Sequence, residues 1–312
     1  MNKVTKHNLF SANDFPGAIS FSYSLSRLSW LKVGGPVDIL FRPKCLKDLV
    51  QFIKKTPDDM LITPIGVCSN LLIRDGGMNG IAIKLGRAFS EIKIDNEEVK
   101  VGAGNLDSRV ALHLSKFDLD MSFLRTIPGT IGGALIMNAG CYGHSFGDYV
   151  SSIEGITRDG SIIKLSNEDL KFSYRKCVIP EQLIVTSVVL RPNKLSRNLI
   201  DKKMQKALLQ RQKTQPLKVP SCGSTFKNPD GKSSLLREKK VNLKAWRLID
   251  EAGLRGKKIG QAQVSEKHPN FLLNLGGAKA SEIEELGEYV RKKVFDKHNI
   301  LLDWELVRLG NK

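Results

Sequence analysis

Two glycine-containing stretches carry the residues best suited to hold a phosphorylated ligand. The first, Pro64-Ile-Gly-Val-Cys-Ser-Asn-Leu-Leu-Ile-Arg-Asp-Gly-Gly77, follows a strand-like run and sets small and polar residues where backbone N–H groups could face a phosphate. The second, Ile127-Pro-Gly-Thr-Ile-Gly-Gly-Ala-Leu-Ile-Met-Asn-Ala-Gly140, presents Gly129, Thr130, Gly132 and Gly133 in a similar way. Facing one another, two such loops could cradle a dinucleotide. Neither has the G-x-G-x-x-G or G-x-x-x-x-G-K-[ST] form, which disfavours a Rossmann NAD site and a P-loop nucleotide site. Spacing alone leaves open that these glycines only make turns that close a sheet. Residue type by itself marks no catalytic role for Ser224 in a Gly/Ser-containing loop, Arg175 after a strand-like segment, or Glu305 near the C-terminus. The guanidinium of Arg175 is a permanently charged fork that suits a carboxylate. By type alone, Ser224 reads as a turn former, and Arg175 and Glu305 as members of surface ion pairs.

The elements that must position these residues follow from periodicity. Ordered structure is expected to begin at Ser29, ahead of the Gly34-Gly-Pro36 turn. Leu46, Leu49, Val50 and Ile53 fall on one helix face, and Leu61 to Ile65 reads as a buried strand, a β-α-β beginning. Ile81 to Leu85, Glu91 to Asp95 and Val99 to Val101 are short strands, followed by a helix from Leu106 to Lys116. Glycine recurs from Ile127 to Gly147, so that segment is not a regular element throughout. Ile153 to Thr157, the Asp159-Gly160 turn and Ile162 to Leu165 form a hairpin, and Leu183 to Leu190 is a further strand. A lysine-rich helix from Leu195 to Gln215 ends before Pro216 and places a domain boundary near 195. Beyond it come a helix around Ala245 to Ala252, strands near 263 and 272, and a long helix from about 281 to 298. Ser281 and Glu284 stand in capping-box register there, and Ile283, Leu286, Val290 and Val294 make the buried stripe. The mixed order implies an α+β protein.

Composition bounds the partners. At 312 residues, 41% hydrophobic and 26% charged, the chain is an ordinary globular protein long enough for two or three packed units. Forty-nine Lys and Arg against 32 Asp and Glu leave +17. The basic residues are scattered, with only short clusters such as Arg237 to Lys240 and Arg291 to Lys293, so a solvated lysine-rich surface is expected and no nucleic-acid site. The 5 cysteines form no C-x-x-C pair and the 5 histidines show no ligand spacing, which implies reduced thiols in a cytoplasmic protein and no bound metal. No stretch approaches the roughly eighteen continuous apolar residues needed to span a bilayer.

The two loops resemble the flavin-binding segments of the UDP-N-acetylenolpyruvoylglucosamine reductase family, whose FAD-binding fold is of the vanillyl-alcohol-oxidase type. The resemblance begins at Trp30 to Pro36, passes through Ser69 to Leu72, Arg74 to Gly77 and Ile127 to Gly143, and continues with Ser173-Tyr-Arg175, Ser221 to Pro229 and Leu302 to Gly310. With Ser69 to Leu72 and Arg74 to Gly77 taken as one, six motifs in order cover roughly residues 25 to 310. The family's Gly-x-Gly-Ser-Asn has Cys68 as its second glycine here, so a side chain must fit beside the diphosphate or the loop must bend. No tyrosine-bearing insertion lies between Arg175 and Ser221, as in the shorter subclass of the family.

The resemblance implies an N-terminal arm over 1–28, an FAD-binding domain over 29–195 split into subdomains near 90, and an α+β substrate domain over 196–312. It implies FAD contacts at Gly66, Ser69, Asn70, Leu71, Pro128, Gly129, Thr130, Gly132, Gly133, Asn138, Ala139 and Gly140. Ser224 would donate a proton, Arg175 and Glu305 would activate the enolpyruvyl carboxylate, and Lys227 and Asn228 would meet the UDP diphosphate. NADPH would be the reductant, UDP-N-acetylglucosamine enolpyruvate the substrate, and the enzyme a monomer. The alternatives are an oxidase of the same fold acting on an alcohol or lactone, and a basic binding protein without flavin.

Overall fold

The computed structural model describes Phe10, Phe15, residues 18–232 and residues 243–312. The basic cluster Arg237 to Lys240 lies outside the described residues. The first sheet has the order Ile19–Ser24, Pro36–Phe41, Met78–Lys84, Ile62–Ile65. The last three strands run parallel and the first is antiparallel at the edge. Helix α1, Leu46–Lys55, makes the crossover between Pro36–Phe41 and Ile62–Ile65. Cys45 caps it by accepting the Asp48 N–H at 3.4 Å. The buried face is Leu49, Phe52 and Ile53, with Leu46 at 41% exposure, so the expected stripe is rotated toward Phe52. The rotation has a cause in packing. Phe52 stacks on Phe41 at 3.8 Å and on Phe10 at 4.4 Å, and Phe15 meets both Phe41 and Phe52 edge-on. The expectation that order begins at Ser29 is therefore corrected: Ile19–Ser24 is a strand, and Phe10 and Phe15 are buried in this core.

The second sheet has five antiparallel strands in the order Ile162–Ser166, Val150–Ile156, Ile184–Leu190, Glu98–Gly102, Ile92–Asp95. Helices α2 (Asp107–Leu114), α3 (Ile131–Ile136) and α4 (Arg197–Thr214) contribute to its core. Val99, Val101, Val188 and Leu190 from the strands meet Val110, Leu114, Ile131, Leu135, Ile200 and Met204 from the helices. Short α3 sits inside the glycine-containing segment, where no regular element was resolved from sequence. Because Ile200 and Met204 bury into this core, α4 packs with the five-stranded sheet, although the sequence assigned it to a unit starting at 196. We propose that the division lies after α4, before the Pro216 to Pro220 segment.

The third unit comprises α5 (Ala245–Glu251), the small sheet Lys258–Ile259, Ala262–Val264, Leu272–Asn274, and α6 (Ala280–His298). Ile283, Leu286, Val290 and Val294 are fully buried, as the periodicity requires. The Ser281 and Glu284 capping box does not form. Lys279 is the cap residue, its N–H donating to Glu282 at 3.2 Å, while Asp75 accepts the Ala280 and Ser281 N–H groups, each at 2.9 Å. Glu284 is instead taken by Arg74 through two bonds of 2.8 and 2.9 Å. The Arg74-Asp75 pair of the first loop motif thus docks α6. Strand Val307–Leu309 adds in parallel to Leu71–Ile73, completing the junction.

Candidate active site

The two loops meet where the first two units adjoin. A Cβ on Gly66 would lie 2.5 Å from Thr130 Oγ1, so only glycine permits this approach. Lys84 Nζ holds the Gly66 carbonyl at 2.9 Å. The second loop is laced to the end of strand Glu98–Gly102: Asp107 N–H donates to Gly129 O at 3.1 Å, Ile131 N–H to Asn105 O at 2.9 Å, and Gly132 N–H to Ala103 O at 2.9 Å. Cys68 adopts φ +53°, the conformation in which glycine is free of steric cost. Its side chain is buried among Val37, Leu40, Ile65 and Ile73, so the thiol is accommodated by the core and the loop keeps its turn. Burial pushes that thiol up to about 11.

Arg175 sits in a tight turn closed by reciprocal Ser173 and Lys176 backbone bonds, at φ +54°. An arginine there costs about 1 kcal/mol of backbone strain, a cost that its contacts offset. Its Nε donates to Glu305 Oε1 at 2.6 Å and its Nη2 to Gly140 O at 3.2 Å. Both side chains are about seven-eighths buried, at 14% and 13% exposure. Burial pushes the Glu305 carboxyl above its ordinary range, with Arg175 opposing the shift. Burial works against the Arg175 charge, and Glu305, Tyr174 and Cys141 together carry its guanidinium above the ordinary value.

The Ser224 segment runs alongside the Glu305 segment. Thr225 O accepts the Glu305 N–H at 2.8 Å, Lys227 N–H donates to Asp303 O at 2.8 Å, and Phe226 pairs with Trp304. Buried Asn270 clamps Phe226 on both sides, accepting its N–H and donating to its carbonyl, each at 2.9 Å. Ser224 is therefore carried one residue from a strand-like contact with Glu305. Lys227 also acts electrostatically on Glu305. Asn228, expected at the diphosphate, accepts the Ala245 N–H on its side chain at 3.2 Å and donates to Lys232 O at 2.7 Å. A cavity of about 180 Å³ adjoins Gly223, lined by Trp30, Arg211, Pro216, Ser221 and Phe271 among others.

Sequence reasoning missed four residues. Asn270 and Arg211 gain their roles only through long-range contacts. Tyr174 places its ring under the Arg175 guanidinium at 5.1 Å and accepts the Asn228 N–H at 3.3 Å. Asp107 is fully buried with no hydrogen-bond partner for either carboxyl oxygen, and a Cβ on Gly129 would lie 2.6 Å from its Oδ2.

Comparison with known proteins decides the family. Residues 37–166 match the FAD binding domain family, and residues 215–309 match the UDP-N-acetylenolpyruvoylglucosamine reductase C-terminal domain. The UDP-N-acetylenolpyruvoylglucosamine reductase of Jannaschia sp. (strain CCS1) is 45% identical over 295 residues, 94% of this chain and 96% of that protein. That of Paracoccus denitrificans (strain Pd 1222) is 46% identical over 295 residues, with the same coverage. The chain belongs to the UDP-N-acetylenolpyruvoylglucosamine reductase family.

A crystal structure of the reductase from Thermus caldophilus superimposes with a TM-score of 0.78 at 30% identity, covering 94% of this chain and 98% of that one. The vanillyl-alcohol-oxidase-type FAD-binding fold with a C-terminal α+β domain is the fold of this reductase, and the chain is an FAD-dependent oxidoreductase. Its residues fit the cofactor: glycine is obligatory where Gly66 and Gly129 approach their neighbours, and the Asp107 oxygens are polar groups left unpartnered beside the second loop. The separate oxidase alternative has no support beside a C-terminal match to this family. Among the described residues no group of three or more His, Cys, Asp or Glu could hold a metal, and no helix is long and apolar enough to cross a membrane.

Proposed function

We propose that this reductase uses NADPH to reduce UDP-N-acetylglucosamine enolpyruvate to UDP-N-acetylmuramate, a peptidoglycan precursor, with Ser224 as proton donor and Arg175 and Glu305 as the groups that manage the carboxylate. Bound FAD supplies the hydride chemistry, between the Gly66 to Leu71 and Pro128 to Gly140 loops. The observation that carries the reading is the buried Arg175–Glu305 contact, 2.6 Å long, with the Ser224 segment bonded to the Glu305 backbone.

Addition of hydride at the methylene carbon drives charge into the substrate carboxylate, and a proton must then reach the neighbouring carbon. The fixed charge of Arg175 stabilises that carboxylate as its charge grows, without reorganisation at the moment of reaction. Glu305, whose carboxyl burial raises above its ordinary range against the pull of Arg175, lies on the same carboxylate-handling side. A serine hydroxyl is too weak an acid for bulk water, so Ser224 acts only against a transient strong base in a closed site. Lys227 supplies a cation for the diphosphate, and the cavity beside Gly223 accepts part of the nucleotide sugar. The enzyme acts as a monomer in the cytoplasm, where its free cysteines stay reduced.

The test follows the visible spectrum of the FAD-loaded protein through anaerobic addition of NADPH and then of the enolpyruvyl sugar. The band is expected to bleach and then return only with the sugar; return with oxygen alone, ignoring the sugar, would overturn the reading. Ser224→Ala is expected to leave bleaching by NADPH fast and to slow the return by roughly a hundredfold or more. An unchanged return removes Ser224 from the donor role.

A further inference from the structure

Each of the two flavin loops contains an asparagine expected from sequence to contact FAD, and the structure spends both side chains elsewhere. Asn70 Nδ2 donates to the Glu305 carbonyl at 3.1 Å, and the Asn70 carbonyl accepts the Val307 N–H at 3.0 Å. Asn138, 7% exposed, donates through Nδ2 to the Ser173 carbonyl at 2.9 Å and accepts the Gly147 N–H on Oδ1 at 2.9 Å. Ser173 opens the tight turn that carries Arg175. The first loop is thereby tied to the segment of Glu305 and the second to the segment of Arg175. Those two segments meet in the Arg175–Glu305 contact.

We propose that Asn70 and Asn138 are positioning residues whose side-chain amides fix the Arg175–Glu305 pair relative to the flavin loops. The inference rests on reading Arg175 and Glu305 as catalytic. Glu305 is otherwise held by its own unit, through Thr225, and by a neighbouring strand. Only the Asn70 side chain bonds the Glu305 peptide directly to the loop that carries the cofactor, among the hydrogen bonds of the described residues. An amide suits this task because it donates in a fixed plane and does not titrate, so the tether holds at every working pH. A two-electron transfer needs the reacting carbon and the groups that stabilise its charge in register, and a shift of about 1 Å is enough to cost roughly a hundredfold in rate.

The test compares Asn70→Ala, Glu305→Gln and the double variant as FAD-loaded proteins, with rates taken per bound flavin. FAD affinity of each apoprotein is measured by flavin fluorescence. Asn70→Ala is expected to keep FAD affinity close to that of the parent and to slow reoxidation by the enolpyruvyl sugar roughly 10- to 100-fold. The double variant is expected to be no slower than Glu305→Gln alone, since a tether has nothing left to position once the carboxyl is gone. A structural role without coupling would multiply the two losses, and that result would overturn the proposal. So would an Asn70→Ala variant whose sole defect is weaker FAD binding. A normal Glu305→Gln would remove the catalytic reading itself, and the proposal with it. Should Asn70→Ala not fold, Asn138→Gly paired with Arg175→Lys puts the same question from the other loop, glycine being free to adopt the φ of +38° found at 138.

Discussion

A carboxyl group with no hydrogen-bond partner and no access to water is stable as a neutral acid and costly as an anion. Asp107 is in that position, and burial raises it well above the ordinary carboxylate range. Because its folded-state affinity for the proton exceeds that of the unfolded chain, its contribution to stability is fully present below the ordinary value of 3.8 and is lost as pH rises toward the folded value. Asp107→Asn cannot titrate. The melting temperature of the variant apoprotein minus that of the parent is therefore expected to increase as pH rises above 4.5, by roughly several degrees for a chain of this size, and to level off once the folded-state acid is ionised. A difference that stays flat as pH rises would mean that the acid is paired or solvated. Cys68 illustrates the opposite case, in which an uncommon residue is absorbed: the loop keeps the left-handed turn and the thiol joins the apolar core.

At the scale of elements, helix α6 depends on a residue more than two hundred positions away. Its first N–H groups have no intrahelical acceptors, and Asp75 takes two of them while Arg74 binds Glu284 one turn further on. Burial raises the Asp75 carboxyl, but the Ser281 and Ala280 N–H groups together bring it below the ordinary value. Its contribution is consequently present above pH 3.8 and lost as pH falls through the lowered value. Asp75→Ala is expected to destabilise by about 2 kcal/mol and Asp75→Asn, which keeps an acceptor without the charge, by about half that, in line with measured helix caps. Urea denaturation midpoints at pH 7 check this. Equal losses for the two substitutions would show that charge carries the whole effect, and no loss would show that water replaces the cap.

For the whole molecule, the third unit does not have a core of its own. Leu31, Val33 and Leu72 from the N-terminal region are buried in the same cluster as Leu248, Ile283 and Val290. Asn274 Nδ2 donates to Leu31 O at 2.8 Å, and Val307–Leu309 is a strand against Leu71–Ile73. A shared apolar core makes separate unfolding expensive, because opening the junction exposes it on both sides. The chain is expected to unfold in one cooperative transition in spite of its length. The three tryptophans, Trp30, Trp246 and Trp304, are in or beside the third unit and its junction, so their fluorescence reports there while far-ultraviolet circular dichroism reports on all three units. Coincident midpoints are expected. Separated ones would mean that the junction opens before the cores.

Sequence by itself determined what depends on local rules. The strand and helix periods, the Asp159-Gly160 hairpin and the buried stripe of α6 follow from side chains a few positions apart, and the ordered motifs carried the family, the fold and FAD. Tertiary structure decided what depends on partners distant in the chain. No local signal shows that Glu284 would leave its capping box for Arg74, that Asn228 would cap α5, that Phe10 and Phe15 would stack under α1, or that α4 would pack with the preceding sheet. The same holds for the site: by type alone Arg175, Ser224 and Glu305 read as surface and turn residues, resemblance of the ordered motifs gave them their roles, and the Arg175–Glu305 approach joins segments 130 residues apart. A hydrogen bond or a buried contact is fixed by distance in space, and only the folded chain supplies that distance.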